Sequence, residues 1–174
     1  YNQISNGGPV TLTDKNMTRF VMSVEEAVEL VLNSVIEAKG GEVFVTKMPV
    51  MRIEDLAVAM IEEISSGDIN ITEIGSKPGE KLYEELMSDE ETRRTIELSK
   101  FFSVLPAFRG IYCDIKYNYN NIVSETVEDP YLSEQQNSLT VKEIKSLLRD
   151  NSLLLNPNNM GDVRYWPGDK ESQS

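Results

Sequence analysis

The sequence predicts an α/β fold made of short strands and helices. Strand-like runs alternate with helical apolar spacing along the chain, and three Ser/Thr-x-x-Glu capping boxes each precede a helical segment. The composition fits a globular domain, with 40% hydrophobic and 26% charged residues among 174. We expect residues 1–150 to form one domain and residues 151–174, rich in Asn, Pro, Gly and charges, to form a polar mobile tail.

The first part of the chain predicts two strands and a helix. Residues 10–13 are β-prone and follow a Gly-Gly-Pro turn, and residues 19–22 form a second β-prone run. Ser23 and Glu26 then make the first capping box. A helix should follow, with one apolar face formed by Val24, Ala27, Val28, Val31 and Val35, and the glycines at 40 and 41 should stop it.

The middle of the chain continues the alternation. Residues 42–47 alternate like a strand, and residues 53–64 repeat the helical spacing, although Arg52 is a poor residue to begin a helix. A strand over 69–74 and a Lys-Pro-Gly loop lead into a short helix predicted over 80–87.

The last part is less regular. The second capping box lies at Ser88 and Glu91, and residues 95–105 contain β-type runs. The polar segment 118–137 is either a surface loop or a mobile insert. Thr140 and Glu143 form the third capping box and open a final helix.

Charge and rare residues exclude several kinds of function. The net charge of −12, from 17 basic and 29 acidic residues, argues against a broad nucleic-acid or anionic-membrane surface. The chain has no histidine, which excludes Ser-His-Asp and Cys-His catalysis and every His-ligated metal within it. Its one cysteine, Cys113, cannot form an internal disulfide. No apolar run reaches the roughly 18 residues of a membrane span, so a cytoplasmic protein is expected.

No cofactor-binding motif is present. The glycines never take the G-x-G-x-x-G spacing after a strand, and residues 75–81 (GSKPGEK) lack the spacing and the final Ser/Thr of a phosphate loop. We therefore expect no cofactor and no catalytic residue in this chain. It also begins without Met, which suggests a fragment of a longer protein.

Two segments favour an anion. In residues 9–26 a strand precedes a lone arginine, Arg19, whose planar fork suits a phosphate. In residues 74–83 a strand ends in a turn that carries Lys77 and should open a helix, whose N-terminus also attracts anions. Surface cations near turns are common, so a purely structural role stays open for both.

These segments also carry a resemblance. The runs PVTLTDKNMTRFVMSVEEAVELVL, IGSKPGEKLYEELMS and SLTVKEIKSLL resemble the carboxy-terminal portion of bacterial and archaeal nucleotide-sugar 4,6-dehydratases of polysaccharide biosynthesis, over roughly residues 7–150. Those enzymes belong to the extended short-chain dehydrogenase/reductase superfamily and act on UDP-N-acetylglucosamine. The resemblance implies that an amino-terminal Rossmann half, absent here, holds NAD or NADP and the catalytic residues. This chain would then bind the UDP-sugar.

The resemblance also implies site residues. Arg19 matches the arginine of MTRF that faces the nucleotide, and Lys77 stands where the family has the arginine that meets the diphosphate. Lysine keeps that charge and loses the bidentate fork. Further matches are Val10 and Thr11 beside the uracil, and Tyr131 and Ser133 as a Tyr-x-Ser in which Leu132 replaces Asn.

A second hypothesis is a stand-alone interaction or assembly domain without a ligand. The 118–137 loop and the acidic helix faces would then make protein contacts. The genomic sequence upstream of Tyr1 separates the two, since a glycine-rich strand–turn–helix there favours the enzyme. The partners expected for the enzyme are a UDP-sugar, the Rossmann half and, by analogy with relatives, a further copy in a homo-oligomer.

Overall fold

The computed structural model describes residues 1–108 and 110–154. The helices are α1 (Asn2–Ser5), α2 (Val24–Glu37), α3 (Ile53–Ile64), α4 (Asp89–Thr92) and α5 (Val141–Asp150). The strands are β1 (Val10–Leu12), β2 (Thr18–Phe20), β3 (Val43–Thr46), β4 (Val50–Arg52), β5 (Ile71–Glu73), β6 (Glu85–Met87), β7 (Thr95–Leu98), β8 (Phe101–Val104), β9 (Ile122–Ser124) and β10 (Tyr131–Leu132). The predicted α/β class is confirmed. Most of the predicted tail, residues 155–174, lies outside the described residues.

The strands form small open sheets. Within the described ranges β1 pairs with β5 in parallel, while β2 pairs with β4 and β6 with β10 in antiparallel fashion. The largest sheet is antiparallel and has the order β3-β8-β7-β9, which leaves β3 and β9 at its edges. Such short strands cannot bury much apolar surface alone, so the helices supply the rest of the core.

The core lies on both sides of α3. One cluster joins Ile4, Val10 and Leu12 to Ala57 of α3, and a second joins Ala59 to Met51, Ile144 and Leu148. Helices α3 and α5 are also joined by the Arg149 guanidinium, which binds both carboxylate oxygens of Glu63 at 2.6 and 2.7 Å. A third cluster, formed by Met87, Val104 and Tyr131, lies beside β6 and β10.

Local signals predicted the helix starts well. All three capping boxes form, at Ser23, Ser88 and Thr140. The helix α3 covers the predicted residues 53–64 and, as expected, Arg52 makes no capping hydrogen bond with its side chain. None of the helices in the described ranges is both long and apolar enough to cross a bilayer.

Two predictions of local structure are wrong. The helix expected over 80–87 is absent, and the chain instead runs through turns into β6. The segment 118–137 is not simply a loop, because it contains β9, β10 and a short 3-10 turn at Ser133–Gln135. In both places backbone pairing with distant strands overrides a local pattern, as tertiary contacts commonly do.

Helix α2 has an unexpected orientation. Its capping box and length agree with the prediction, yet none of its 14 residues is buried. Its apolar stripe faces outward, with each side chain 53% to 76% exposed: Val24, Val28, Val31, Leu32, Val35 and Ile36. The stripe is therefore mostly exposed to solvent in the described part of the chain.

Candidate functional site

The predicted site segments meet at one place in the fold. Strand β2 carries Arg19, residues 81–84 run alongside it, and Ser133 follows β10. The Thr18 N–H donates to the Leu82 carbonyl at 2.9 Å, and the Ser133 N–H donates to the Glu84 carbonyl at 2.9 Å. We call β2, residues 81–84 and Ser133 the Arg19 junction. Three segments that are distant in sequence thus share one network.

Arg19 holds residues 81–84 against β2. Its Nη2 donates to the Lys81 carbonyl at 2.7 Å, and its Nη1 donates to the carbonyls of Thr18 at 2.7 Å and Leu82 at 3.3 Å. Its Nε lies 3.9 Å from a Glu84 carboxylate oxygen, and its side chain is 25% exposed. The guanidinium is therefore partly committed to the chain and still reaches solvent.

Lys77 lies on the loop that Arg19 holds. The Lys77 N–H donates to the Glu80 carboxylate at 3.1 Å, and the Glu80 N–H donates back to the Lys77 carbonyl at 3.1 Å. These two bonds close a turn in which Gly79 has a φ of +86°, a value that suits glycine. The Lys77 side chain is exposed. The turn presents an ammonium to solvent, and Glu80 braces it.

The expected helix N-terminus beside Lys77 does not exist. Because residues 80–84 form turns and β6 follows, no helix dipole contributes at this loop. The carbonyls of Lys81 and Leu82, which a helix would have used internally, accept hydrogen bonds from Arg19 and Thr18 instead. Any attraction for an anion at this site rests on side-chain cations alone.

Ser133 and Tyr131 lie inside the protein. Ser133 is fully buried, its hydroxyl lies 2.8 Å from the Thr18 hydroxyl, and it accepts the Glu84 N–H at 2.9 Å. The Tyr131 hydroxyl accepts the Met48 N–H at 2.8 Å and donates to the Met48 carbonyl at 3.1 Å. Burial raises the pKa of the Tyr131 phenol, which stays neutral. Both hydroxyls bind protein here, and a contact with substrate stays a prediction.

Val10 and Thr11 lie on β1, away from the hydrogen bonds of the Arg19 junction. Val10 is buried in the first core cluster, and Thr11 exchanges two hydrogen bonds with the Gln3 side chain, at 2.8 and 3.1 Å. Strand β1 is linked to the loop of Lys77 through the Ile74 N–H, which donates to the Leu12 carbonyl at 2.8 Å. Their predicted place beside a base stays untested.

Glu84 is a site residue that the sequence reasoning missed. It lies in the segment for which a helix was predicted, but no helix forms there, and its carboxylate accepts the Phe20 N–H at 2.8 Å and lies near Arg19. Its position as the last residue of PGEKLYE was the available signal.

The described residues contain no cluster of three or more Cys, Asp or Glu side chains suited to a metal ion.

Residues 1–106 match a family described as "Polysaccharide biosynthesis protein". The chain is 44% identical over 152 residues to an uncharacterized membrane protein of Methanocaldococcus jannaschii, covering 83% of this chain and 44% of that protein. It is 35% identical over 147 residues to the UDP-glucose 4-epimerase of Rickettsia prowazekii, covering 84% and 42% respectively.

A solved structure is also similar. The X-ray structure of Pen from Bacillus thuringiensis superposes with a TM-score of 0.73 at 36% identity, over 88% of this chain and 44% of that chain. The chain thus spans less than half the length of each of these relatives. What it shares with them is one portion of a longer protein.

Proposed function

Because the chain belongs to the polysaccharide biosynthesis protein family, we propose that it is the UDP-sugar-binding region of a nucleotide-sugar 4,6-dehydratase or epimerase. The observation that carries the proposal is the pairing of Arg19 with the Lys77 loop: one cation holds the loop that presents the other. A similarity to UDP-glucose 4-epimerases supports a nucleotide-sugar as the ligand.

The charge distribution supports a local anion site. A chain with a net charge of −12 repels a diphosphate in general, so binding requires cations placed together. Lys77 supplies an exposed ammonium, and Arg19 retains N–H groups beyond those that bind carbonyls. The resulting division of labour makes Lys77 the direct contact and Arg19 both a contact and the residue that positions the loop.

The chemical steps require a second portion of the enzyme. A 4,6-dehydratase oxidises C4 of the sugar, eliminates water across C5–C6 and returns the hydride to C6, and a nicotinamide supplies that hydride transfer. No glycine fingerprint for such a cofactor is present in this sequence. We place NAD or NADP, and the catalytic residues, in an amino-terminal Rossmann half, and we expect no turnover from this chain alone.

Titration with UDP-glucose and with UDP-N-acetylglucosamine, followed by NMR, tests the proposal. Amide shifts should concentrate at Arg19 and residues 76–84, with weak affinity because the site is shared with the missing half. Arg19→Ala should abolish the shifts and Lys77→Gln should weaken binding about tenfold.

A matched control separates a specific site from general charge. Lys142→Gln removes one exposed positive charge from α5, as Lys77→Gln does from the loop, and should leave the titration unchanged. Absence of binding to either UDP-sugar in a chain joined to its Rossmann half, or unchanged binding in Arg19→Ala, would contradict the proposal.

The stand-alone interaction domain is the second candidate. The exposed stripe of α2 favours a surface that binds protein. The two candidates differ in one measurement, because an interaction domain without ligand gives no UDP-dependent shift at the Arg19 junction.

A further inference from the structure

The apolar stripe of α2 is large enough to serve as a binding surface. Its six side chains, defined above, together expose on the order of 600 Å² of mostly apolar surface, as much as the largest apolar patch of an ordinary monomer. A capped helix with this much exposed Val, Leu and Ile costs solubility unless the surface is covered.

The opposite face of α2 shows that the stripe is not simply turned the wrong way. That face is half-buried and lies over a cavity of about 300 Å³, which Leu30 and Asn33 line from the helix and Thr46 and Phe101 line from the sheet. Rolling the helix to bury the stripe would carry exposed Glu25 inward as well. Burying the stripe in this chain would therefore also bury a carboxylate.

The end of α2 is fixed to the body. The Tyr117 hydroxyl donates to the Gly40 carbonyl at 2.7 Å. A Cβ on Gly40 would lie 2.9 Å from the Ile115 side chain, and one on Gly41 would lie 2.7 Å from the ring of Tyr112. The chain then enters β3, an edge strand whose Val43 is also exposed. The open strand edge thus follows the stripe directly along the chain.

Charge decides against a second copy of this chain as the occupant. The charged residues of α2 are all acidic: Glu25, Glu26, Glu29 and Glu37. Of these, Glu25 and Glu29 lie beside the stripe, whereas Glu26 caps the start of the helix and Glu37 is half-buried on the opposite face. Two copies that met through their stripes would bring the Glu25 and Glu29 carboxylates of both copies, four in all, to one interface with no cation from either helix, an arrangement that like-charge repulsion disfavours. The complementary surface is apolar and bordered by Lys or Arg.

We infer that the stripe of α2 is the docking surface for the remaining portion of the longer nucleotide-sugar enzyme, an inference that rests on the proposed function. The three relatives described above each have more than half of their length outside the region shared with this chain, so each has a portion available to cover the stripe. That portion should present an apolar patch with a basic border.

A chimera tests this inference. The part of the Bacillus thuringiensis Pen chain that this protein does not cover is joined to the whole 174-residue chain in the order of the Pen sequence. Hydrogen exchange of the α2 amides is then compared with exchange in the 174-residue chain alone. We expect exchange at least tenfold slower in the chimera. Equal exchange in a chimera that retains slow exchange in α3 overturns the inference.

Two matched substitutions locate the contact. Val31 on the stripe and Val123 on β9 are both 61% exposed, so Val31→Gln and Val123→Gln make the same chemical change at equal exposure. In the chimera Val31→Gln should speed α2 exchange about tenfold, and Val123→Gln should leave it unchanged. An equal response to both contradicts a specific surface.

The remaining outcomes separate the inference from the proposed function. If α2 exchanges slowly in the chimera but the chimera does not bind UDP-glucose, the proposed function is overturned and the docking surface is supported. If the chimera binds UDP-glucose but α2 exchanges as fast as in the 174-residue chain, the docking surface is overturned and the proposed function is supported. If the chimera does not fold, sedimentation of the 174-residue chain decides. A monomer with fast α2 exchange supports the inference, and a dimer that Val31→Gln dissociates overturns it.

Discussion

The Arg19 junction buries polar groups, whereas helix α2 exposes apolar side chains. At the junction the hydroxyls of Thr18 and Ser133 are buried and bind each other and the backbone, whereas on α2 a stripe of Val, Leu and Ile faces water. A polar group is buried at little cost when it is fully hydrogen-bonded, and a large contiguous apolar patch on a surface commonly marks an interaction site. The buried hydroxyls of the junction find their hydrogen-bond partners within this chain, whereas the stripe of α2 is exposed in its described part.

The largest test of this difference compares two truncations. Met87 is 1% exposed beside the junction and Val35 is 76% exposed on α2. Met87→Ala should lower the free energy of unfolding by about 2–5 kcal/mol, because it leaves a cavity, and Val35→Ala should change it by less than about 0.5 kcal/mol. Denaturant unfolding of the isolated chain measures both. A comparable loss from Val35→Ala would mean that the stripe is already covered.

The second test removes a buried hydroxyl. Ser133→Ala leaves the Glu84 N–H and the Thr18 hydroxyl without their partner and should cost about 1–3 kcal/mol of unfolding free energy. Ser66→Ala, at an exposed serine, is the control and should be neutral. An unchanged stability in Ser133→Ala would show that the network contributes nothing, and the contrast with α2 would lose its basis.

The third test replaces the fork of Arg19. Arg19→Lys keeps the charge but cannot donate to the carbonyls of Lys81 and Leu82 together, so it should cost about 1–2 kcal/mol. Exchange of amides in residues 77–84 should rise by more than exchange in α2. A rise in amide exchange confined to α2 would contradict the role of Arg19 in holding residues 81–84 against β2.

The smallest expected effect concerns pH at the end of α2. Burial raises the pKa of Glu42, but hydrogen bonds from the N–H groups of Lys39 and Gly40 and from the Tyr119 hydroxyl outweigh it, so the pKa lies below 4.5. The stability that this carboxylate contributes is present above pH 4.5 and is lost as pH falls through its folded pKa.

Glu42→Gln measures this contribution. Unfolding followed from pH 7 to pH 3 should show a shallower loss of stability in the variant than in the parent chain. Glu91 and Glu143, whose pKa values are also lowered, account for part of the loss that remains. Identical slopes in the two proteins would mean that Glu42 is equally hydrogen-bonded after unfolding.

Local chemistry predicted the beginnings of elements better than their surroundings. A capping box is decided by residues three apart, so all three were recognised from the sequence. The helix expected over 80–87 failed because its carbonyls are used by Arg19 and Thr18, which are more than sixty residues away. The outward stripe of α2 was unpredictable for a similar reason, since periodicity identifies an apolar face and not what covers it.

The site residues show the same limit of local patterns. Arg19 and the Lys77 loop were singled out by their residue types and do meet, through Lys81 and Leu82. The burial of Ser133 and the role of Glu84 depend on pairing between β6 and β10, which no local pattern encodes.

The corner between α2 and β3 has an evolutionary consequence. At Gly40 and Gly41 even a methyl group would collide with neighbouring side chains, and both φ values are positive. Substitution at these two positions therefore carries a backbone cost that substitution on the exposed stripe does not. The stripe could thus change with the surface that it meets while the turn that ends the helix keeps its shape.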